Sequence, residues 1–110
     1  MSGKVDDIIK LKILKNVWNI SDKISDWHWF TDHIHEFKHL NITTKLQFNN
    51  KIEQIIKQSS WTKNMKVGKR GRYAFWDDKH KIIVIYDPVH KDLGTTFIPS
   101  RWKQYFLDFN

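Results

Sequence analysis

The chain has 110 residues, enough for one hydrophobic core and about two layers of secondary structure. That length excludes a multi-domain enzyme, a Rossmann unit with its own substrate domain and a full-size barrel. Nineteen Lys and Arg against 12 Asp and Glu give a net charge of +7, and aromatics reach 15% with six Trp. This balance favours a polyanionic partner, a phosphate backbone first among them. Cysteine is absent, which excludes disulfides and thiolate metal sites, and no apolar run is long enough for a membrane span. The first residues carry Asp6, Asp7 and scattered lysines, unlike a signal peptide, and delivery as the C-terminal part of a larger secreted protein stays open.

Val5, Ile9, Ile13 and Val17, with Ile8, Leu11, Leu14 and Trp18, recur at helical spacing and predict a first helix. Ser21–Asp22 and Ser25–Asp26 break the pattern and offer N-caps to a second helix, along which Trp27, Phe30, Ile34 and Phe37 form an apolar stripe. Thr44-Lys45-Leu46-Gln47 reads as a capping box that opens a third helix through Phe48, Ile52, Ile55 and Ile56 to Ser59–Ser60. Beyond it, Gly, Asp and Pro punctuate short strand-like segments at 64–67, 72–76, 81–86, 95–98 and 102–106. The run Lys81-Ile82-Ile83-Val84-Ile85-Tyr86 suits a central strand buried on both faces. Helices over 5–60 followed by strands over 64–106 predict one α+β domain. Its N-terminal helices pack on one face of a twisted antiparallel sheet of four or five strands. Most of the Trp residues are expected in the core, with Trp18 and Trp27 at core spacing.

Two constellations could carry chemistry. His35-Glu36-Phe37-Lys38-His39 is a literal H-E-x-x-H, the spacing by which a helix grips zinc. Ile42 and Lys45 stand where an extended zinc motif needs Gly and His, so a zinc hydrolase is carried as an alternative only. The second constellation is basic and aromatic: Lys66, Lys69, Arg70 and Arg72 are interleaved with Tyr73, Phe75 and Trp76. Guanidinium forks suit phosphate and ring faces suit unstacked bases, so RNA or single strands are favoured over duplex DNA. A solvated turn beside core aromatics is the plainer account, and a non-catalytic RNA- or DNA-binding module lies between the two.

RNA can be cut without a metal, given a base for the 2′-OH proton, a cation at the phosphate and an acid for the 5′-oxygen. His33 can move protons, Lys38 and Arg72 supply charge, and Thr95 and Thr96 supply hydroxyls, provided the histidine helix crosses the sheet face that carries Arg72. His80 and His90 read as solvated turn residues, and Asp87 before Pro88 as the end of a strand. Arg101 and Lys103 near the C-terminus either extend the phosphate-binding surface or simply keep the tail soluble.

The stretch His33-Ile34-His35-Glu36-Phe37 resembles the H-x-x-E-F helix of bacterial polymorphic-toxin domains. Residues 71–77, 82–88, 92–99 and 102–106 are similar to the sheet, glycine-threonine strand, Pro and aromatic tail that close those domains. They form the barnase/EndoU/colicin/RelE-like superfamily of small ribonuclease toxins, including colicin D-like tRNA nucleases and the tips of contact-dependent inhibition proteins. The resemblance covers about residues 28–106. It implies a cofactor-free, metal-independent endoribonuclease that cleaves tRNA or another structured RNA to a 2′,3′-cyclic phosphate. It also implies neutralisation by a cognate immunity protein, expected to be acidic, and delivery to act in the target-cell cytoplasm. On that basis His33, Arg72 and Thr95 or Thr96 are the expected catalytic residues. Lys38 joins them for its positive charge, and the basic, aromatic surface makes Lys66, Lys69, Arg70, Tyr73 and Arg101 the expected RNA-binding ones. Relatives often place an earlier His four residues before the first; this chain has Trp29 there and His28 one position off.

Overall fold

A computed structural model describes the backbone of residues 2–29 and 32–110, and the side chains of residues 7–29 and 35–110. Helix α1 (Ser2–Lys15) gives way at Asn16 to α2 (Val17–His28). The break therefore falls ahead of the serines expected to cap the second helix. Ser21 and Ser25 instead lie inside α2 and donate their hydroxyls back to the Val17 and Asp22 carbonyls at 2.8 and 2.9 Å. Those bonds satisfy both buried hydroxyls within the helix, so neither residue interrupts it. The segment expected as the second helix is a 3₁₀-helix, Asp32–Leu40.

Helix α3 (Lys45–Ser59) opens as the capping box predicts. Thr44 Oγ1 accepts the Gln47 amide at 3.1 Å, and Gln47 Oε1 accepts the Thr44 amide at 3.1 Å. Four strands follow, β1 (Met65–Val67), β2 (Tyr73–Asp77), β3 (Ile82–Tyr86) and β4 (Gly94–Phe97), in the order β1-β2-β3-β4 and antiparallel throughout. The fold is α+β. The fifth expected strand is a helix, α4 (Lys103–Leu107). Phe106 and Phe109, three residues apart, are both buried on one cluster, which a helical turn permits and alternating strand faces do not.

The strand alternation sorts the sheet into two faces. Phe75, Ile82 and Val84 lie under Val17, Ile20, Ile24, Phe37, Phe48, Ile52 and Ile56 of the helical layer. Ala74, Trp76, Ile83 and Ile85 face the other way, under Phe106 and Phe109. Ile82 to Ile85 are buried in succession, as the β-branched run predicts for a central strand. The Trp expectation fails: Trp18, Trp27, Trp61 and Trp102 are exposed and Trp76 alone is fully buried, because the space under the helices is filled by Ile and Phe. Among the described residues, no helix is long and apolar enough to cross a membrane.

Candidate functional site

Strands β3 and β4 are joined by two consecutive tight turns. The His90 amide bonds the Asp87 carbonyl at 3.2 Å, and the Leu93 amide bonds the His90 carbonyl at 3.0 Å. Asp at the first position and Pro88 at the second suit the first turn, and Asp87 Oδ1 also accepts the Val89 amide at 3.2 Å. Gly94 then enters β4 at φ 132°, where a Cβ would lie 1.9 Å from the Ile85 carbonyl oxygen. Only glycine lets the loop fold so closely onto β3.

This loop presents His90 beside Asp92. His90 Nδ1 lies 2.5 Å from Asp92 Oδ1, which also accepts the Gly94 amide at 3.0 Å. Asp92 Oδ2 stands 3.7 Å from Nε2 of His28, and that nitrogen is 2.8 Å from the Gly94 carbonyl oxygen. The carboxylate is thus enclosed between two imidazoles, one from the loop and one from the end of α2. The His90 side chain is 56% exposed and Asp92 only 15%, so the acid is fixed in the fold and the imidazole meets solvent. A carboxylate on Nδ1 selects the tautomer whose Nε2 can accept a proton.

A cavity of about 290 Å³ opens here on the sheet face away from the main helical layer, lined by His90, Asp92, Asp87, Arg72, Thr95 and Tyr105. Arg72 precedes β2 and lies over the Phe109 ring, 5.1 Å from its centroid, while Nη2 donates to the Asn110 main-chain oxygen at 2.8 Å. Its buried Nε has no hydrogen-bond partner among the described residues. The Arg72 guanidinium lines the cavity, and a guanidinium fork there is a donor set suited to an anion. Arg72 and Tyr105 also border a neighbouring cavity of about 440 Å³ that reaches Arg101 and Asp108.

Of the expected catalytic residues, the structure brings together Arg72 and Thr95. Thr96 points the opposite way, fully buried, with its hydroxyl donated to the Ile83 carbonyl at 2.9 Å. Lys38 lines a different cavity, with Trp29, Ile42 and Thr43. The side chain of His33 lies outside the described residues. Its backbone belongs to the 3₁₀-helix, whose Phe37 is packed in the helical layer. The condition that the histidine helix cross the face carrying Arg72 is therefore not met, because Arg72 and Tyr73 alternate and only Tyr73 faces the helices.

The expected RNA-binding residues are likewise dispersed. Lys66 is folded onto the C-terminal segment, with Nζ 2.5 Å from the Leu107 carbonyl oxygen and 5.8 Å from the Phe106 ring centroid. Lys69 and Arg70 are exposed in the turn Lys69–Gly71, and Arg101 pairs with Asp108 Oδ2 at 2.6 Å. Tyr73 packs against Tyr86, its cross-strand partner, with ring centroids 5.9 Å apart.

The H-E-x-x-H residues do not form a zinc grip here. In a 3₁₀-helix, with about three residues per turn, position i+4 falls roughly a third of a turn away from position i. Glu36 Oε2 accepts the Ile98 amide at 3.0 Å and so ties this segment to the end of β4. Among the described residues, no group of three or more His, Asp or Glu is placed to hold a metal.

A second polar cluster joins α3 to the β2–β3 turn. Lys51 Nζ lies 3.1 Å from Asp77 Oδ2 and 2.8 Å from His80 Nδ1, which is itself 2.9 Å from Asp77 Oδ2. Burial pushes the Asp77 carboxyl up, but the hydrogen bonds from His80 and Lys51 and their charges outweigh it and hold it below the ordinary value. Asp77 Oδ1 also accepts the Lys79 amide at 3.1 Å, so the cluster closes the turn and anchors it to the helix.

The sequence reads His90 as a solvated turn residue and assigns no role to Asp92 or Tyr105. The available signal was a His two residues ahead of an Asp, directly before the glycine-threonine strand. No protein-family model, curated protein or solved structure matches this chain.

Proposed function

We propose that this chain is a metal-independent endoribonuclease whose centre is the cavity shared by His90, Arg72, Thr95 and Tyr105. The observation that carries the reading is the His90–Asp92 pair, set in one cavity with the Arg72 guanidinium. His90 Nε2 takes the proton of a ribose 2′-OH, whose oxygen attacks the adjacent phosphorus. Arg72 binds the non-bridging oxygens as negative charge builds, and the Thr95 hydroxyl donates to the same group. Tyr105 gives its proton to the departing 5′-oxygen, leaving a 2′,3′-cyclic phosphate and a 5′-hydroxyl end. No metal or cofactor is needed to balance these steps.

The net charge of +7 supports RNA as the polyanion, and the resemblance of residues 28–106 to ribonuclease toxins supports a structured RNA such as tRNA. On the same resemblance, the protein acts as a delivered toxin in the target-cell cytoplasm, and an acidic immunity protein neutralises it in the producer.

The test is a cleavage gel of total tRNA in EDTA with the purified chain and its His90→Ala variant. New fragments ending in a cyclic phosphate, lost in the variant, are expected. Salt-sensitive retention of uncut RNA by both proteins would instead assign a binding module.

A further inference from the structure

A second cavity, of about 330 Å³, lies at the same end of the sheet as His90 but on the opposite face. Tyr73 and Tyr86 form one wall, with Pro88 beside them and Ile9, Lys12 and Asn16 of the first helix and its terminus across from them. Its volume is at the lower end of the range for small-molecule sites, roughly 300–1,000 Å³. We propose that this cavity is a nucleobase subsite of the candidate ribonuclease centre, taking one unpaired base of the RNA next to the phosphate held by Arg72.

The chain itself sets the two cavities back to back. Arg72, Ile85 and Asp87 line the cleavage cavity, and their immediate successors Tyr73, Tyr86 and Pro88 line the second one. Alternation along β2 and β3 sends each neighbouring pair to opposite faces. A single-stranded RNA can follow this end of the sheet with a phosphate on the arginine side and a base on the tyrosine side, because the two groups project in different directions from a ribose.

The lining matches a base better than another small ligand. The tyrosine pair, with ring planes 22° apart, offers aromatic surface of the kind on which unstacked bases pack. Lys12 offers a donor for a ring nitrogen or carbonyl. Asn16 Nδ2 donates to the Lys12 carbonyl at 2.9 Å, which leaves its Oδ1 as the atom that accepts from a base N–H. Burial and the neighbouring Tyr73 raise the Tyr86 phenol above its ordinary value, so Tyr86 stays uncharged beside a polyanion. The subsite also gives α1 a role: it closes the cavity from the helical side.

This inference rests on the ribonuclease reading, and its test is direct binding. GMP and ribose 5-phosphate are titrated by NMR into the intact chain and into the Tyr73→Leu and Lys12→Ala variants. GMP is expected to bind at least tenfold more tightly than ribose 5-phosphate, with shifts centred on Tyr73, Tyr86 and Asn16. Tyr73→Leu should weaken GMP about tenfold, and Lys12→Ala, on an exposed helix position, about threefold with the fold unchanged. Equal binding of the two probes, or GMP binding that ignores both variants, overturns the subsite even if RNA is still cut. GMP binding at Tyr73 by a chain that cuts no RNA upholds the subsite and removes the ribonuclease reading.

Discussion

Nδ1 of His90 lies 2.5 Å from Oδ1 of Asp92, an oxygen that also receives the Gly94 amide. The loop backbone and the carboxylate therefore fix the imidazole together, and the histidine can exchange protons without losing its orientation. Replacing His90 by Ala should lower the rate of RNA cleavage by roughly 10²–10⁴, the usual contribution of a positioned proton-transfer group. Asp92→Asn should fall between the variant and the parent chain, since the ring stays but its tautomer is no longer selected. His33→Ala, assayed beside them, separates the histidine expected from the sequence from the one in the cavity. Loss of cleavage in His33→Ala with full activity in His90→Ala would move the centre away from the β3–β4 loop.

Arg72 joins the cavity to the C-terminal segment, so its substitutions have two readouts. Arg72→Ala removes the contact with Phe109 and the bond to Asn110, a loss of about 1–2 kcal/mol in a thermal melt. Arg72→Lys keeps the charge but not the fork, and should recover much of the stability and little of the cleavage. Equal rates for Arg72→Lys and the parent would show that charge alone suffices.

The two threonines of β4 provide an internal control. Thr95 lines the cavity, whereas Thr96 is buried and bonded to Ile83. Thr95→Val should reduce cleavage with little change in melting temperature. Thr96→Val should cost about 1 kcal/mol of stability and leave the cleavage rate of the folded protein unchanged.

Asp77 sets a pH dependence of stability. Its carboxyl titrates below the ordinary value of 3.8 in the folded chain, so the stabilisation is complete above that value and is lost as pH falls through the folded one. Denaturant melts between pH 7 and pH 2 should show this acid loss, and Asp77→Asn should abolish that component. At pH 7 the variant should be weaker by roughly 1–3 kcal/mol, because Lys51 and His80 lose their carboxylate.

Local physics made much of this fold legible in the sequence. The Thr44–Gln47 capping box, the helical spacing of Phe48 to Ile56, the β-branched run of β3 and the Asp87–Pro88 turn each depend on residues a few positions apart. They hold whatever packs against them, and the net charge follows from composition alone. Where an element's form depends on distant partners, the sequence was ambiguous. Residues 102–106 alternate well enough for a strand, and only the shared burial of Phe106 and Phe109 against Trp76 and Ala74 makes them part of a helix.

The candidate site was decided by parity. A strand sends neighbours to opposite faces, so a choice between Thr95 and Thr96, or between Arg72 and Tyr73, turns on which face the helices cover. That depends on the pairing of Ile85 with Thr95 and of Tyr73 with Tyr86, contacts between segments that the sequence holds apart. The same pairing folds the β3–β4 loop back and brings His90 to Arg72. Composition supplied the basic and aromatic residues for meeting a phosphate chain; the sheet register decided which of them share a cavity.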